Sequence, residues 1–533
     1  MSVRKALGIS AFSQLIVFLF NFGSVIAVSR LLTPEEIGIF SVSAAILTFA
    51  HIFREFGVGQ YLIQAKTLDR EKIRAAFTVT LGISWAIALL LYIARVPIAR
   101  FYGSAGIAEV LALISINFLL IPFGSPLLSL LRREMRFDKI AIVNISNAVV
   151  SSGTTIAAAA AGMSYLSMGL GAIAGVVTNV VVLNAIRRGE IFMLPTFRGL
   201  REVVRFGSVS STVSILTELS MSAPDLILGR TLGFSAVAYF SRANAVRKMT
   251  TGQINTLVQR VYFPSFALKV REGRRPAELY GYAINYLVAF TAPALALLAL
   301  LADPLLLLLF GPQWEDAATL SSMLCVFALV TTPTSLTGTS LTACGKLRLL
   351  MRTQLLMLGV RVAALGSSLW LELEQVVMLL GVAALLGQQS QLYAMRSAFG
   401  LRIRVLWRHV RSAYVILVPC TLVGPALVLF VDRFFRIHAH PAVLLGIAVP
   451  LAVGGWIIGI VFSGHPLKME FSRLREHFTH RGTAKMVLPA TVQPESPVTP
   501  DSVEAESEGD RRRAPRAEKE TNSTLQANSE ETS

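Results

Sequence analysis

The stretch RKALGISAFSQLIVFLFNFGSVIAVSRLLTPEEIGIFSVSAAILTFAHIFREFGVGQYLIQAKTLDREKIR, residues 4–74, contains one full period of the pattern on which the rest of the chain is built. Two cations, Arg4 and Lys5, open it. A mostly apolar run follows to residue 28, then a turn whose single cation is Arg30. A second apolar run fills 36–57 and ends in a loop bearing Lys66, Arg70, Lys72 and Arg74. A helix rises 1.5 Å per residue, so about 20 apolar residues cross the hydrocarbon core of a bilayer. Basic residues stay with the cytoplasmic loops. The period is therefore a helical hairpin that crosses, turns outside and returns.

Fourteen such stretches can be read: 6–28, 36–57, 74–94, 106–130, 140–162, 165–185, 204–229, 235–258, 278–302, 315–340, 348–370, 375–395, 411–431 and 441–463. The even-numbered connections are basic, as in Arg132, Arg133, Arg136 and Lys139, or Arg402, Arg404, Arg408 and Arg411. The odd-numbered ones hold only Arg30, Arg95, Arg100, Arg230, Arg433 and Arg436. One miscounted span would invert every later loop, so this alternation supports the count and puts both termini inside. The expected fold class is an all-α polytopic membrane protein.

Composition agrees. With 54% hydrophobic and 15% charged residues, the 533-residue chain is not a string of soluble domains. Its net charge of +17 raises the possibility of a nucleic-acid partner. The charge is spent on loop punctuation, however, and no basic, aromatic-rich soluble domain is present to read bases, so none is expected. Cys325, Cys420 and Cys344 read as small buried hydrophobes, with no metal or disulfide spacing. The N-terminus resembles a signal peptide, but the apolar run continues to Val28 without a small-residue cleavage site, so the first helix is expected to be retained. From about residue 470 the chain turns to Ser, Glu, Pro, Thr and Arg, the composition of a disordered tail.

An internal repeat lies within the membrane part. At an offset of 200, Arg30, Leu32, Phe40 and Ser41 recur as Arg230, Leu232, Phe240 and Ser241. Ile37 and Gly38 recur as Val237 and Ala238. Six helices separate the copies, and an even number preserves orientation, so the repeat is parallel about an axis along the membrane normal. The expected organisation is a first six-helix lobe (1–195), a second (196–400), two further helices (401–468) and a cytoplasmic tail (469–533).

Ionisable residues inside spans are costly and mark candidate sites. On the eighth stretch, Gln253, Thr256 and Arg260 fall within roughly 40 degrees of the direction of Arg242. Asn244, Lys248, Thr251 and Asn255 run down a second face, and Arg247 lies off both. So polar a helix is expected to line a hydrated cavity. Glu218 and Asp225, seven residues apart on the seventh stretch, are expected either to accept a coupling proton or to balance these cations in a structural ion pair. Arg54 and Arg361 are further candidate cavity cations. The small-residue runs at Ser151–Gly153 and Gly169–Gly175 read as helix-packing surfaces. No Walker loop, catalytic carboxylate pair or metal-ligand spacing is present, so neither enzyme nor cofactor chemistry is expected and no catalytic or metal residue is assigned.

Six segments in order carry a resemblance: LTPEEIGIFSVSAAI (32–46), FREFGVGQYLIQ (53–64), LLRREMRFDKIAIVN (130–144), DLILGRTLGFSAVAYFSRA (225–243), VYFPSFA (261–267) and LLFGPQWEDAA (308–318). They resemble the Wzx-type flippases of the multidrug/oligosaccharidyl-lipid/polysaccharide exporter superfamily. The Arg132–Phe137 element looks most like the subgroup exporting capsule or exopolysaccharide units. The likeness covers residues 1 to about 465. It implies two six-helix lobes around a cationic cavity and an undecaprenyl-diphosphate-linked oligosaccharide as substrate. It also implies membrane lipids, a polymerase and glycosyltransferases as partners. Arg242 is the residue expected to meet the diphosphate, with Arg54, Arg361, Lys248, Gln253 and Thr256 as supporting contacts. The alternatives are the lipid II flippase branch and a multidrug/cation antiporter, the latter disfavoured by the excess of embedded Arg and Lys over Glu and Asp.

Two outcomes follow from this topology. Reporter fusions after Arg205 and Arg275 should read cytoplasmic and one near Gln313 periplasmic; a periplasmic signal at Arg275 would overturn the topology. Truncation after Lys468 should leave polymer export intact, because the tail lacks the apolar content to pack on the lobes. Loss of export at normal membrane levels would contradict that.

Overall fold

The computed structural model describes residues 3–55, 58–64, 68–187, 195–196, 212–421, 424–435 and 439–469. The expected tail beyond Met469 lies outside them. Each of the fourteen apolar stretches carries helix, and no strand occurs among the described residues. The first half comprises α1 (Val3–Leu31), α2 (Pro34–Glu55), the short α3 (Val58–Gln64), α4 (Arg70–Tyr102), α5 (Ala105–Leu120), α6 (Ser125–Arg133), α7 (Phe137–Ala160) and α8 (Leu166–Ile186). The second comprises α9 (Thr212–Thr231), α10 (Phe234–Arg271), α11 (Pro276–Leu300), α12 (Ala302–Phe310), α13 (Glu315–Thr331), α14 (Thr337–Ala343), α15 (Leu347–Gly366) and α16 (Leu373–Phe399). Helices α17 (Ile403–Thr421), α18 (Pro425–Phe434) and α19 (Pro441–Phe462) follow.

Several expected spans are built in pieces, and proline explains where. The stretch 106–130 breaks at Ile121–Phe123, a 3-10 turn in which Pro122 has no N–H to donate. The same break recurs at Thr332–Thr334 around Pro333, between α13 and α14. Beyond each short helix one residue is left-handed, Met135 at φ 55° and Gly345 at φ 70°. Glycine adopts that conformation freely, whereas Met135 costs about 1–2 kcal/mol. The repeat seen in the turns thus continues through the interior of each half.

Packing repeats as well. In the first half α2 packs on α4 and α5, α4 on α5, α5 on α8, α7 on α8, and α1 on α7. In the second, α10 packs on α11 and α13, α11 on α13, α13 on α16, α15 on α16, and α9 on α15. Helix α17 rests on α11, and α19 on α17 and α12.

The halves meet where α2 packs against α9 and α10. A Cβ on Gly38 would stand 1.9 Å from the Phe234 carbonyl oxygen, so only glycine allows this backbone approach. On α9, a Cβ at Gly229 would stand 2.5 Å from Val42 Cγ2. Tyr102 Oη donates to the Leu226 carbonyl at 3.0 Å. The α1–α2 turn is tied to the second half by Arg30 Nε on the Leu309 carbonyl at 3.0 Å and by Trp314 Nε1 on the Ser29 carbonyl at 2.8 Å. These ties cluster at the end of the bundle expected to face outward.

Gly38→Ala should therefore destabilise the protein by about 1–3 kcal/mol, the usual cost of overpacking. Gly82→Ala, whose Cβ meets nothing within 4 Å, should be neutral or stabilising. Thermal unfolding in detergent measures both, and equal melting temperatures would show the α2–α10 approach to be unimportant.

Candidate functional site

Eleven segments among the described residues are long and apolar enough to cross a membrane. The helices in the expected second, seventh and eighth spans, α2, α9 and α10, are not among them. They carry most of the embedded charges, Arg361 on α15 being apart from them, and they pack on one another. Polar faces cannot be left in hydrocarbon, so mutual packing at the seam is where such helices are stable.

A charge cluster forms where α9, α10 and α15 come together. On α9, Glu218 and Asp225 are half-buried, and the exposed side chain of Lys248 on α10 lies within electrostatic reach of both. Arg247 and Arg361 belong to the same set. Arg247 donates from Nε and Nη2 to Asn244 Oδ1 at 3.1 and 2.6 Å. Arg361, from α15, donates from Nη1 to Ser220 Oγ at 3.0 Å. Lys248 thus faces the two carboxylates with Arg247 and Arg361 beside it, three cations to two anions in the set.

Arg242 sits elsewhere and in a different environment. Ala238, Arg242 and Val246 share one helical face. Ala238 and Val246 pack with Leu295, Phe310, Trp314 and Ala317, so that face is turned into the protein. The Arg242 side chain is only 8% exposed, with its guanidinium carbon 5.7 Å from the centre of the Trp314 ring. Its Nε is buried without a hydrogen-bond partner, and no carboxylate pairs with it among the described residues. A desolvated cation over a tryptophan face recovers about 2 kcal/mol, against a burial penalty of several.

The structure therefore brings together Glu218, Asp225, Lys248 and Arg361, four of the residues singled out from sequence. Arg242 lies about 9 Å nearer the start of α10 than Lys248, at six residues of 1.5 Å rise. Arg54 lies near the far end of α2, half-buried beside His51, whose ring is 4.7 Å from that of Phe118. The side chains of Gln253 and Thr256 lie outside the described residues. Sequence reasoning missed Ser220, which anchors Arg361, and left Arg247 off both polar lines. Ser220 stands between Glu218 and Ser222, the only available signal.

Residues 27–319 match the model of a family described as polysaccharide biosynthesis protein. The chain belongs to that family. The matched segment includes α2, α9, α10 and every cluster residue except Arg361. Among curated proteins the chain is similar to the lipopolysaccharide biosynthesis protein WzxC of Escherichia coli K12, 22% identical over 331 residues, covering 60% of this chain and 66% of that one. It is 25% identical over 337 residues to the succinoglycan biosynthesis transport protein ExoT of Rhizobium meliloti, covering 63% and 68%. The chain thus spans about two thirds of the length of each.

Among solved structures the fold is that of the lipid II flippase MurJ in its inward closed conformation, at TM-score 0.68 and 11% identity, covering 85% of this chain and 98% of that one. An inward-facing multidrug resistance MATE transporter of the MOP superfamily follows at TM-score 0.58 and 17% identity, covering 72% and 95%. At such identities the likeness establishes the fold alone. It agrees with the superfamily resemblance carried by the six sequence segments, and the chain is a multi-pass membrane protein.

Proposed function

We propose that this protein carries undecaprenyl-diphosphate-linked oligosaccharide repeat units from the cytoplasmic to the periplasmic leaflet, for exopolysaccharide, capsule or O-antigen synthesis. The observation that carries the reading is the cationic seam, a cluster with excess positive charge at α9, α10 and α15 together with an unpaired arginine on α10. A diphosphate is the complementary ligand, because planar guanidinium donors hold phosphate oxygens bidentately. An organic-cation antiporter would need the opposite balance. The names of the relatives, which speak of lipopolysaccharide and of succinoglycan transport, support the same substrate class.

The mechanism is alternating access by two six-helix lobes, 1–195 and 196–400, with 401–468 as two added spans. The eleven apolar segments and α2, α9 and α10 supply fourteen crossings in all, with both termini cytoplasmic. In the empty protein Glu218 and Asp225 hold Lys248, and Ser220 holds Arg361. An entering diphosphate competes for those cations and loosens the ties from α9 to α10 and α15. Arg242 becomes available when Trp314, which also binds the α1–α2 turn, moves off it. Moving two negative charges outward through the full field is favoured by about 4–5 kcal/mol per 100 mV.

Complementation of a null strain tests the reading. Arg242→Lys should retain partial polymer export, since lysine supplies charge without the fork, while Arg242→Ala and Arg242→Glu should abolish it. Normal export by Arg242→Glu protein inserted at wild-type level would make Arg242 a purely structural residue.

A further inference from the structure

On the first half, α4, α5 and α8 enclose a groove of about 1160 Å³, separate from the charge cluster. Trp85, Leu89 and Tyr92 form its α4 wall, and each is 48% to 61% exposed, so the groove opens to the lipid side. Two opposite charges, Arg95 and Glu109, line it. They are not paired with one another. Arg95 lies 3.9 Å from the centre of the Tyr92 ring, and Glu109 accepts from Tyr165 Oη at 2.9 Å.

The depth of these residues is set by helix geometry. The 33 residues of α4 span about 50 Å, against about 30 Å of hydrocarbon, so a centred helix projects about 10 Å beyond each face. Arg95 is seven residues from the end of α4 at Tyr102, about 10 Å, which puts it at the hydrocarbon boundary. Trp85 lies ten residues deeper, about 15 Å, at the bilayer midplane. There its Nε1 donates to the Leu119 carbonyl at 3.3 Å and bridges α4 to α5 at the deep end. The groove is therefore one leaflet long, apolar along its length, with one cation and one anion at its mouth.

We infer that this groove binds a zwitterionic phospholipid of the leaflet at the α1–α2 turn end, with its acyl chain along α4. Its phosphate meets Arg95 and its ammonium group meets Glu109. A lipid carrying both charges satisfies both side chains, whereas an anionic lipid satisfies Arg95 and is repelled by Glu109. Tyr92 and Tyr165 at the mouth are the amphipathic residues that favour the headgroup level.

Native mass spectrometry of the full chain, titrated with phosphatidylethanolamine or phosphatidylglycerol, tests the assignment. The wild type should retain phosphatidylethanolamine about fivefold better, the scale of one partly screened charge contact. Glu109→Gln should erase the preference by raising phosphatidylglycerol retention, and Arg95→Gln should lower retention of both. Ala112→Trp, which fills the groove floor, should exclude either lipid. Equal retention of the two lipids by the wild type overturns the proposal, as does unchanged retention in Arg95→Gln of unaltered melting temperature. The two charge variants alter exposed or half-exposed side chains, so they decide the question even if Ala112→Trp fails to fold.

Discussion

Hydrocarbon offers no partner to a polar side chain, and the arrangement of this protein follows from that constraint. Helices α9 and α10 carry Glu218, Asp225, Asn244, Arg247 and Lys248, and α2 carries His51 and Arg54. The remaining long helices are apolar enough to face lipid, so they can form the outer layers of each half. The polar helices turn their charged faces to one another and to α15, which brings Arg361. The seam at which they meet is therefore fixed by solvation before any detail of packing, and Gly38 lets the backbones come close enough to seal its end.

The two kinds of cation at the seam are held in opposite ways. Lys248 and Arg361 have nearby counter-charge or hydrogen-bond acceptors, so exchanging those partners for a ligand costs little. Arg242 is buried without a carboxylate, and breaking or leaving such a charge unpaired is expensive. Its partner Trp314 also binds the Ser29 carbonyl of the first half, so the ring that covers Arg242 belongs to the tie between the halves.

Much of the fold was legible in the residues themselves. Loop charge alternation and apolar run length pointed to stretches that each carry helix, eleven of them apolar enough to cross a membrane, and Arg30 against Arg230 pointed to the repeat. The breaks at Pro122 and Pro333 were visible as prolines but concealed in apolar runs long enough to cross unbroken. The site was legible in part. Angular arithmetic on a straight helix grouped Arg242 with Gln253, yet it does not report which neighbour a face meets. Ala238 and Val246 on either side of Arg242 turn its face into the core behind Trp314. Ser220 was passed over because a helical serine usually bonds its own backbone, and Arg95 because it read as a loop cation when α4 in fact continues to Tyr102.

The most direct measurement of the central claim is the transmembrane distribution of lipid-linked repeat units in cells lacking this protein. Transport by this chain predicts that complete, unpolymerised units accumulate and are confined to the cytoplasmic leaflet, inaccessible to a periplasmic glycan-modifying probe until the wild-type protein is restored. Units reaching the periplasmic leaflet at the normal rate in its absence would contradict the account.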